Sequence, residues 1–255
     1  MKALGIIPAR FASTRFPGKP LADIDGKSMI RRVYEQCVQC TDLSRVIVAT
    51  DSKEIFSHVR KFGGEAMMTG AQHRSGTERC AEVVEKLRRS GVTLRPEAVI
   101  NIQGDEPFID PRQISQVAMT FRESRTAVGT LAKRITTLRE LKDPNVVKVV
   151  FATDGTALYF SRSPIPFLRG HPQKEWLKHG TFYKHVGIYG YRPDILRELV
   201  RLPVSNLETA ESLEQLRWME AGFPITVAET EYETTAVDTP ADLLKSTNRK
   251  APGRR

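Results

Sequence analysis

The sequence predicts an α/β fold: a Rossmann-like, mainly parallel sheet with a smaller α+β part that is inserted or used for dimerisation. In the first half, short apolar runs alternate with segments of helical period, the order typical of right-handed βαβ units. The apolar runs are nearly continuous, as expected of strands that are covered on both faces. In the second half several strands accompany one helix, which is typical of an α+β part.

The elements can be placed in chain order from these patterns. Apolar residues recur at helical spacing in Met29–Cys37, and Ser75–Glu78 has the form of a capping box that opens a helix. Strands are predicted at Ala3–Ile7, Arg45–Thr50, Glu65–Met68, Val99–Gln103, Thr126–Leu131, Val146–Phe151, Lys184–Tyr191 and Ile225–Ala228. Helices are predicted at Met29–Cys37, at Ile55–Phe62, after Ser75 and at Glu208–Met219, the last with Leu213, Leu216 and Trp218 inward. No linker rich in glycine and serine interrupts the chain, so we expect one domain over residues 1–244 and a basic, flexible tail at 245–255.

Composition narrows the class of protein. The 255 residues carry 39 Lys and Arg against 30 Asp and Glu, a formal net charge of +9, and 40% of them are hydrophobic, which is enough for a packed core. The apolar run Ala3–Ile7 is too short for a signal peptide or a membrane span, and an odd number of cysteines favours reduced thiols. We therefore expect a globular protein of the cytoplasm. Nucleic-acid binding stays open on charge alone, although no signature module is found.

The loop after the first strand has the composition of a polyphosphate site. Arg10, Arg15 and Lys19 are spaced along it, and the backbone amides near Ala12 and Ser13 are suited to cradle phosphates. Ligands of parallel sheets bind beyond the carboxyl ends of the strands, which is where this loop begins. The loop matches neither the dinucleotide fingerprint nor a Walker A sequence. The alternative interpretation is a solvated basic loop.

Two carboxylates are candidate metal ligands. Asp105 lies just after the strand that ends near Gln103, and a carboxylate beside bound phosphates is a natural Mg²⁺ ligand. Asp238 is a second candidate, although by itself it is more simply the N-cap of a helix opened by Pro240. The alternative for Asp105 is a turn residue that caps the next segment. Only the pairing of the two supports Asp238 as a ligand.

Two further stretches allow two interpretations each. His185–Tyr191 alternates glycines with aromatic residues, which suits either close approach of a ligand or a tightly packed strand. The predicted helix at Glu208–Met219 carries an acidic stripe, which is either a solvated face or a set of hydrogen-bonding groups for sugar hydroxyls. The members of this stripe are Glu208, Glu211, Glu214 and Gln215.

The cysteines do not predict a metal centre. Cys37 and Cys40 have the C-x-x-C spacing, but they lie within one predicted helix and no second pair follows. His171 and His179 stand at no spacing that would complete a zinc–thiolate site with them. We therefore expect no zinc bound through the cysteines, and we find no pairing of nucleophile and histidine for covalent catalysis.

Taken together, the motifs resemble one family from Ile6 to Leu243. The chain resembles the 3-deoxy-manno-octulosonate cytidylyltransferases, also called CMP-Kdo synthetases. The matching segments, in order, are IIPARFASTRFPGKPL, VIVATD, SGTER, NIQGDEP, NVVKVV, ALYFSRSPIP, KHVGIYGYR, ESLEQLR and AVDTPADL. The resemblance implies a fold of the nucleotide-diphospho-sugar transferase type. It also implies a bacterial, cytoplasmic homodimer that uses CTP and Mg²⁺ to activate Kdo, giving CMP-Kdo and pyrophosphate for lipopolysaccharide synthesis.

The resemblance further implies roles for individual residues. The catalytic set would comprise Lys19, Arg10 and Arg15, which hold the triphosphate, together with Asp105. The nucleotide would also be bound by Ala12 and Ser13 and, near the cytosine and ribose, by Ser75, Gly76 and Gln103. Mg²⁺ would be bound by Asp105 and Asp238. The sugar acid would be bound by Arg162, His185, Tyr189, Glu214 and Gln215, with the arginine meeting its carboxylate.

Parts of the chain depart from the family pattern. Arg169–Phe182 matches no motif, and Phe167 stands where the family is expected to have a bulkier aromatic residue such as tryptophan. These differences leave open the same reaction on 8-amino-3,8-dideoxy-octulosonate or on a sialate-type sugar acid. A nucleic-acid-binding protein is the alternative from a different class. The KHVGIYGYR and ESLEQLR segments together favour Kdo.

Overall fold

The computed structural model describes residues 2–12, 16–91, 96–122, 126–233, 236–237, 239 and 242–243. The chain forms two compact units. The first unit comprises residues 2–115 with the described residues beyond 234, and the second unit comprises residues 116–233. The expectation of a single domain over residues 1–244 stays a prediction, and the predicted tail at 245–255 lies outside the described residues.

The chain contains the predicted strands and most of the predicted helices in the expected order, together with elements that were not predicted. Up to residue 101 they are β1 (Ala3–Ala9), β2 (Asp23–Ile24), β3 (Lys27–Ser28), α1 (Met29–Cys37), β4 (Leu43–Thr50), α2 (Lys53–Lys61), β5 (Ala66–Met68), α3 (Gly76–Arg89) and β6 (Ala98–Asn101). From residue 111 onward they are α4 (Pro111–Thr120), β7 (Val128–Arg134), α5 (Leu138–Lys142), β8 (Lys148–Phe151), β9 (Ala157–Ser161), α6 (Trp176–His179), β10 (Tyr183–Tyr191), α7 (Pro193–Leu199), α8 (Asn206–Glu211), α9 (Glu214–Glu220) and β11 (Ile225–Glu229). Short 3-10 turns span Lys19–Leu21 and Gln173–Glu175.

The main sheet of the first unit is parallel, in the strand order β5-β4-β1-β6. Its strands are apolar runs, and every residue of β1 except Pro8 is buried. Burial on both faces explains why these strands read as continuous apolar segments rather than as alternating ones. Because the strands are parallel, the loops after β1, β4, β5 and β6 begin at the same edge of the sheet. The predicted parallel sheet is confirmed.

Three helices of the first unit begin at a serine that caps them. The side chains of Ser28, Ser52 and Ser75 each accept a hydrogen bond from the backbone amide three residues later. Serine is favoured at this position because its hydroxyl pairs with an amide that has no partner inside the helix. The predicted helices at 29–37, at 55–62 and after Ser75 are confirmed, with boundaries that shift by at most two residues at the second of them.

The second unit has the mixed pairing of an α+β part. β7 pairs antiparallel with β10 and parallel with β11, while β8 pairs antiparallel with β10 and β9. The four predicted strands of this half are present. β9 was not predicted, because its five residues include Leu158, whose exposed fraction is 60%, and so do not read as a buried run. Ile135, Leu141, Trp176 and Phe182 form one buried apolar cluster of this unit.

The predicted single helix at Glu208–Met219 is wrong. The chain forms α8, then breaks at Ser212, whose φ of 51° and ψ of 49° are left-handed, and resumes as α9. The break lies beside Glu211, whose carboxylate accepts hydrogen bonds from Ser161 Oγ at 2.6 Å and from the Arg162 amide at 2.9 Å. These contacts hold the end of α8 against β9. The predicted inward residues Leu213, Leu216 and Trp218 are buried.

The left-handed residue Ser212 gives a stability prediction. We expect Ser212→Gly to raise the free energy of unfolding by about 0.5–1 kcal/mol, because this conformation costs other residues about 1–2 kcal/mol and glycine loses part of that gain through its greater entropy when unfolded. Urea unfolding would measure the change. The control is Ser90→Gly, at a C-cap with φ of −75°, which should be destabilising. A Ser212→Gly variant no more stable than wild type would contradict the strain argument.

Two observations bear on the environment of the protein. Within the described residues, no helix combines the length and the apolar character that crossing a membrane requires. All three cysteines, Cys37, Cys40 and Cys80, are described, and they are buried thiols rather than halves of a disulfide. Burial raises the pKa of the Cys37 thiol, so that this side chain stays protonated and is a poor metal ligand or nucleophile.

Candidate active site

A pocket of about 250 Å³ opens at the carboxyl ends of the strands of the first unit. It is bounded by the loop after β1, the turn at Lys19, the start of α3 and the loop after β6, which is where ligands of parallel sheets bind. Six of the predicted site residues line it: Arg10, Lys19, Ser75, Gly76, Gln103 and Asp105. Among the lining residues that were not predicted, three carry titratable side chains: His73, Arg74 and Arg79. The walls are therefore strongly cationic.

An ion pair between Lys19 and Asp105 lies in this pocket. The ammonium Nζ donates to the Asp105 carboxylate at 2.7 Å, and the exposed fractions of the two side chains are 14% and 29%. Lys19 begins a 3-10 turn whose entry residue, Gly18, has a φ of 69°, a conformation that favours glycine. The turn thus places the cation and the carboxylate together, although they are far apart in the sequence.

Two glycines let the walls of the pocket approach closely. A Cβ atom on Gly104 would lie 2.7 Å from the carbonyl oxygen of Pro8, closer than real contacts allow. A Cβ atom on Gly76 would lie 3.2 Å from Pro8 Cγ. The end of β1 therefore packs directly against the start of α3 and the loop after β6. Side chains at these two positions would push the pocket walls apart.

The start of α3 contributes an anion-binding end to the pocket. Ser75 and Gly76 line the pocket where the first turn of the helix exposes its amides, and the helix dipole adds partial positive charge there. The Arg74 amide donates to the Glu78 carboxylate at 2.8 Å, which fixes the chain just before the helix. This end of the pocket suits phosphate or another polar, electron-rich group.

His73 is held at the pocket wall by Glu82. The imidazole Nε2 is within hydrogen-bond distance of the Glu82 carboxylate, which also accepts from the Gly70 amide at 2.8 Å. Burial raises the pKa of Glu82, but the hydrogen bonds from Lys86, His73 and Gly70 outweigh it and bring the pKa to about 2. Glu82 is therefore a fixed negative charge that orients His73 and neutralises part of the local positive charge.

Arg79 is a buried residue that joins three segments through hydrogen bonds, and it was not predicted from the sequence. Its guanidinium donates to Asp51 at 2.9 Å and to the carbonyl oxygen of Gly70 at 3.2 Å, and it also bonds Thr69 Oγ1. These contacts tie α3 to the segments that follow β4 and β5. An arginine within the apolar face of a predicted helix, next to Cys80, was the signal that could have found it.

Several predicted nucleotide and metal residues are not placed in the pocket by the structure. Ser13, Arg15 and Asp238 lie outside the described residues, and Ala12 is exposed and is not among those that line the pocket. Val237, the residue before Asp238, donates its amide to the Asp105 carbonyl oxygen at 2.9 Å. The chain thus returns to Asp105 just before Asp238. The assignments of all four residues stay predictions.

The predicted sugar-acid residues all lie in the second unit. Arg162 is engaged with its own unit: its guanidinium donates to the carbonyl oxygens of Glu211 at 2.6 Å, Pro144 at 3.0 Å and Ser212 at 3.4 Å. The bonds to Glu211 and Ser212 hold the break between α8 and α9 next to the end of β9. The prediction that it meets the carboxylate of the sugar acid stays a prediction.

His185 and Tyr189 are neighbours on β10. Their ring centroids are 5.1 Å apart, and His185 Nε2 lies 3.0 Å from Thr130 Oγ1. The Tyr189 hydroxyl oxygen is buried, and none of the described residues forms a hydrogen bond with it. Burial, Tyr191 and the Glu214 carboxylate raise the pKa of Tyr189 well above its usual value, so it stays a neutral donor. A buried hydroxyl without a partner is costly. The prediction that His185 and Tyr189 bind the sugar acid stays a prediction.

We expect His185 to remain neutral over the working pH range. Burial lowers the pKa of His185 to about 3, so the imidazole takes up a proton less readily in the folded state than in the unfolded chain. The stability contributed by the neutral ring is present above the usual pKa of about 6.5 and is lost as pH falls below it. NMR should find the His185 ring resonances unchanged between about pH 8 and pH 5. A titration midpoint near pH 6.5 would contradict the burial argument.

The acidic stripe is not a solvated face. Glu211 is bonded to Ser161 and Arg162, while Arg217 lies 2.9 Å from Glu214 and 3.5 Å from Glu208. Gln215 is buried at the start of α9. The interpretation of this stripe as a solvated face is therefore wrong. Their predicted contact with sugar hydroxyls stays a prediction.

Comparison with known proteins identifies the family. A cytidylyltransferase family model matches residues 4–230. The 3-deoxy-manno-octulosonate cytidylyltransferase of Parabacteroides distasonis is 50% identical over an alignment of 250 residues that covers 96% of this chain and 97% of that protein. The chain belongs to the 3-deoxy-manno-octulosonate cytidylyltransferase family. Members of the family from Cytophaga hutchinsonii and Geobacter sulfurreducens are each 48% identical over 96% of this chain, covering 96% and 98% of those proteins.

Solved structures agree with the family assignment. A structure of CMP:2-keto-3-deoxy-manno-octonic acid synthetase in complex with CTP matches with a TM-score of 0.88 and 44% identity, over 97% of both chains. A Bacillus anthracis protein assigned as a glucose-1-phosphate thymidylyltransferase, solved with sucrose, matches with a TM-score of 0.64 and 16% identity over 98% of both chains. The latter shows the fold alone. The predicted nucleotidyltransferase fold is confirmed.

Proposed function

We propose that this chain transfers the cytidylyl group of CTP to the anomeric C2 hydroxyl of 3-deoxy-manno-octulosonate, giving CMP-Kdo and pyrophosphate. One observation carries the proposal: cations line a pocket at the carboxyl ends of the strands of the first unit, in a chain that is 44% identical to a synthetase solved with CTP. The alternative of a nucleic-acid-binding protein receives no support from the site. A pocket is suited to a small anion, whereas nucleic acid needs an extended basic surface.

The pocket fits the triphosphate of CTP by charge and shape. Arg10, Lys19 and Arg74 supply positive charge for the phosphates, while Ser75, Gly76 and Gln103, which line the same pocket, are proposed to lie near the cytosine and ribose. Gly76 and Gly104 let the end of β1 pack against the start of α3 and the loop after β6, which keeps the polar groups of these three segments around one pocket. These groups are in place before the nucleotide arrives. They would stabilise the charge that develops during phosphoryl transfer without reorganising.

The reaction joins two anions, so its main obstacle is repulsion. The C2 hydroxyl oxygen attacks the α-phosphorus, the bond from that phosphorus to the bridging oxygen breaks, and pyrophosphate leaves with the electron pair. The hydroxyl proton passes to solvent. Positioning and electrostatic relief supply most of the rate in such transfers. Lys19 and Arg10 would neutralise the triphosphate, and the Lys19–Asp105 pair holds the ammonium at the pocket before the substrates bind.

Mg²⁺ is part of the proposal. Asp105 gives the pocket a carboxylate beside its phosphate-binding cations, and Mg²⁺ in nucleotide sites usually takes one or two carboxylates, phosphate oxygens and water. The donor set of the described residues therefore fits the ion, with Asp238 as the proposed second ligand. When bound, Mg²⁺ supplies charge neutralisation at the phosphates and lowers the pKa of a coordinated hydroxyl. Exchange of the Asp105 carboxylate from Lys19 to the ion would free the ammonium for the phosphates.

The decisive experiment is pyrophosphate release from CTP in the presence of Mg²⁺. Kdo, 8-amino-3,8-dideoxy-octulosonate and sialic acid are compared at equal concentrations. We expect release that depends on Mg²⁺ and is fastest with Kdo. A preference for either other acid would keep the reaction and change the substrate. Absence of release with all three acids would contradict the proposed function.

The setting of the reaction is also proposed. Because CTP is made and used in the cytoplasm, we place the enzyme in that compartment. We also propose that it is a homodimer and that it supplies activated Kdo to lipopolysaccharide synthesis. The reduced, buried cysteines are in keeping with that compartment. Light scattering on the purified chain tests the oligomeric state. A mass of one chain, about 29 kDa, would contradict the dimer.

A further inference from the structure

Three metal-ligating side chains that the proposed reaction does not use lie together in the second unit. His171, Glu175 and His179 place their ligand atoms within 4.8 Å of one another, and the two imidazole rings are stacked with centroids 4.0 Å apart. None of the three lines the pocket of the first unit. We infer that these residues form a binding site for a divalent transition-metal ion, with Zn²⁺ as the ion that their chemistry fits best.

The backbone that carries the three residues is anchored. The indole Nε1 of Trp176 donates to the His171 carbonyl oxygen at 2.9 Å, and Trp176 itself is buried. Its ring stacks on Phe182, with centroids 5.8 Å apart and an interplanar angle of 2°. Glu175 and His179 flank this anchored residue within the helical turn. The side chains are therefore presented from one fixed segment, and the site does not have to form by folding a free loop.

The spacing and geometry suit zinc. Glu175 and His179 stand four residues apart in the helical segment 173–179, a separation that brings side chains to one face. His171 precedes that segment, and the chain nevertheless places its ligand atom beside theirs. Ligand atoms around tetrahedral zinc, with bonds of about 2.1 Å, lie roughly 3.4 Å apart. To reach this arrangement, the exposed imidazoles of His171 and His179, which stack on each other, have to turn toward one point and close by about an ångström.

The donor set separates this site from the proposed Mg²⁺ ligands. Two imidazole nitrogens and one carboxylate oxygen favour zinc and its transition-metal neighbours, whereas Mg²⁺ requires oxygen ligands. Three protein ligands leave the fourth coordination position of the ion to water, so a bound ion stays accessible to solvent. We assign it the role of fixing the segment 171–179 on the buried cluster around Trp176. This segment lies in the stretch that matches no family motif.

Zinc titration of the full-length, untagged chain tests the site. The protein is stripped with a chelator and titrated calorimetrically with ZnCl₂ in excess Mg²⁺. We expect one Zn²⁺ per chain, and we expect the H171Q/H179Q double variant to bind at least about tenfold more weakly. The matched control is Lys178→Gln, an exposed neighbour on the same helix, which should bind as wild type does. Circular dichroism confirms folding of each variant.

Three results would overturn the assignment: wild-type binding in the double variant, no zinc binding by the wild-type chain, or binding that Asp105→Asn abolishes. The last would place the ion in the pocket of the first unit. A second measurement reports on the segment itself. Zinc should slow exchange of the Gly180 amide, which donates to the Trp176 carbonyl oxygen at 2.9 Å, in wild type but not in the double variant. Equal exchange in both would also count against the site.

Discussion

We expect Asp105→Asn to abolish pyrophosphate release while leaving the fold intact. The substitution keeps the size of the side chain but removes the negative charge that pairs with Lys19 at 2.7 Å and that is proposed to bind Mg²⁺. An amide is a weak Mg²⁺ ligand, and loss of a charge in the reacting site is worth at least about a hundredfold in turnover. The measurement is kcat with saturating CTP, Kdo and Mg²⁺.

The control for this variant is Asp110→Asn. Asp110 also pairs with a cation, accepting from Arg112 Nη2 at 2.6 Å, but it does not line the pocket. We expect it to keep most of the activity, and both variants to unfold at similar urea concentrations. Asp105→Asn activity above about a hundredth of wild type would argue against a metal-ligand role. Loss of folded structure in Asp105→Asn alone would show that the carboxylate acts on stability instead.

The first unit was predictable because its signals are local. A strand covered on both faces must be apolar throughout, and three helices of this unit, α1, α2 and α3, begin at a serine, so that period and caps are both visible in the sequence. The second unit was less predictable. The break at Ser212 depends on Glu211 reaching Ser161 and Arg162, about fifty residues earlier in the chain. No local pattern records such a contact.

The same distinction holds for the candidate site. Arg10, Lys19 and Asp105 could be predicted because each belongs to a connection that leaves the carboxyl end of a strand, β1 for the two cations and β6 for the carboxylate, where ligands of parallel sheets bind. His73 and Arg79 were missed because their roles come from partners in space. His73 depends on Glu82, and Arg79 depends on Asp51, 28 residues away. An isolated charged residue in a sequence does not reveal its partner.

The second large effect is expected for Lys19→Met. Methionine retains the apolar stem of lysine but removes the cation from the proposed triphosphate site, where exposure of Lys19 is only 14%. We expect kcat/KM for CTP to fall by about two to three orders of magnitude, the range for losing one charge-stabilising group from an active site. Lys27→Met is the matched control. Lys27 also pairs with a carboxylate, Glu35 at 2.6 Å, but it does not line the pocket.

The double variant K19M/D105N decides whether the two residues act as one unit. If the ammonium and the carboxylate cooperate in placing the phosphates and the ion, removing the second adds little once the first is gone, and the double variant is close to Asp105→Asn alone. If they act independently, the two losses multiply. The direct contact at 2.7 Å favours the first outcome. A Lys19→Met variant with normal KM and kcat for CTP would remove Lys19 from the mechanism and reduce its ion pair to a structural contact.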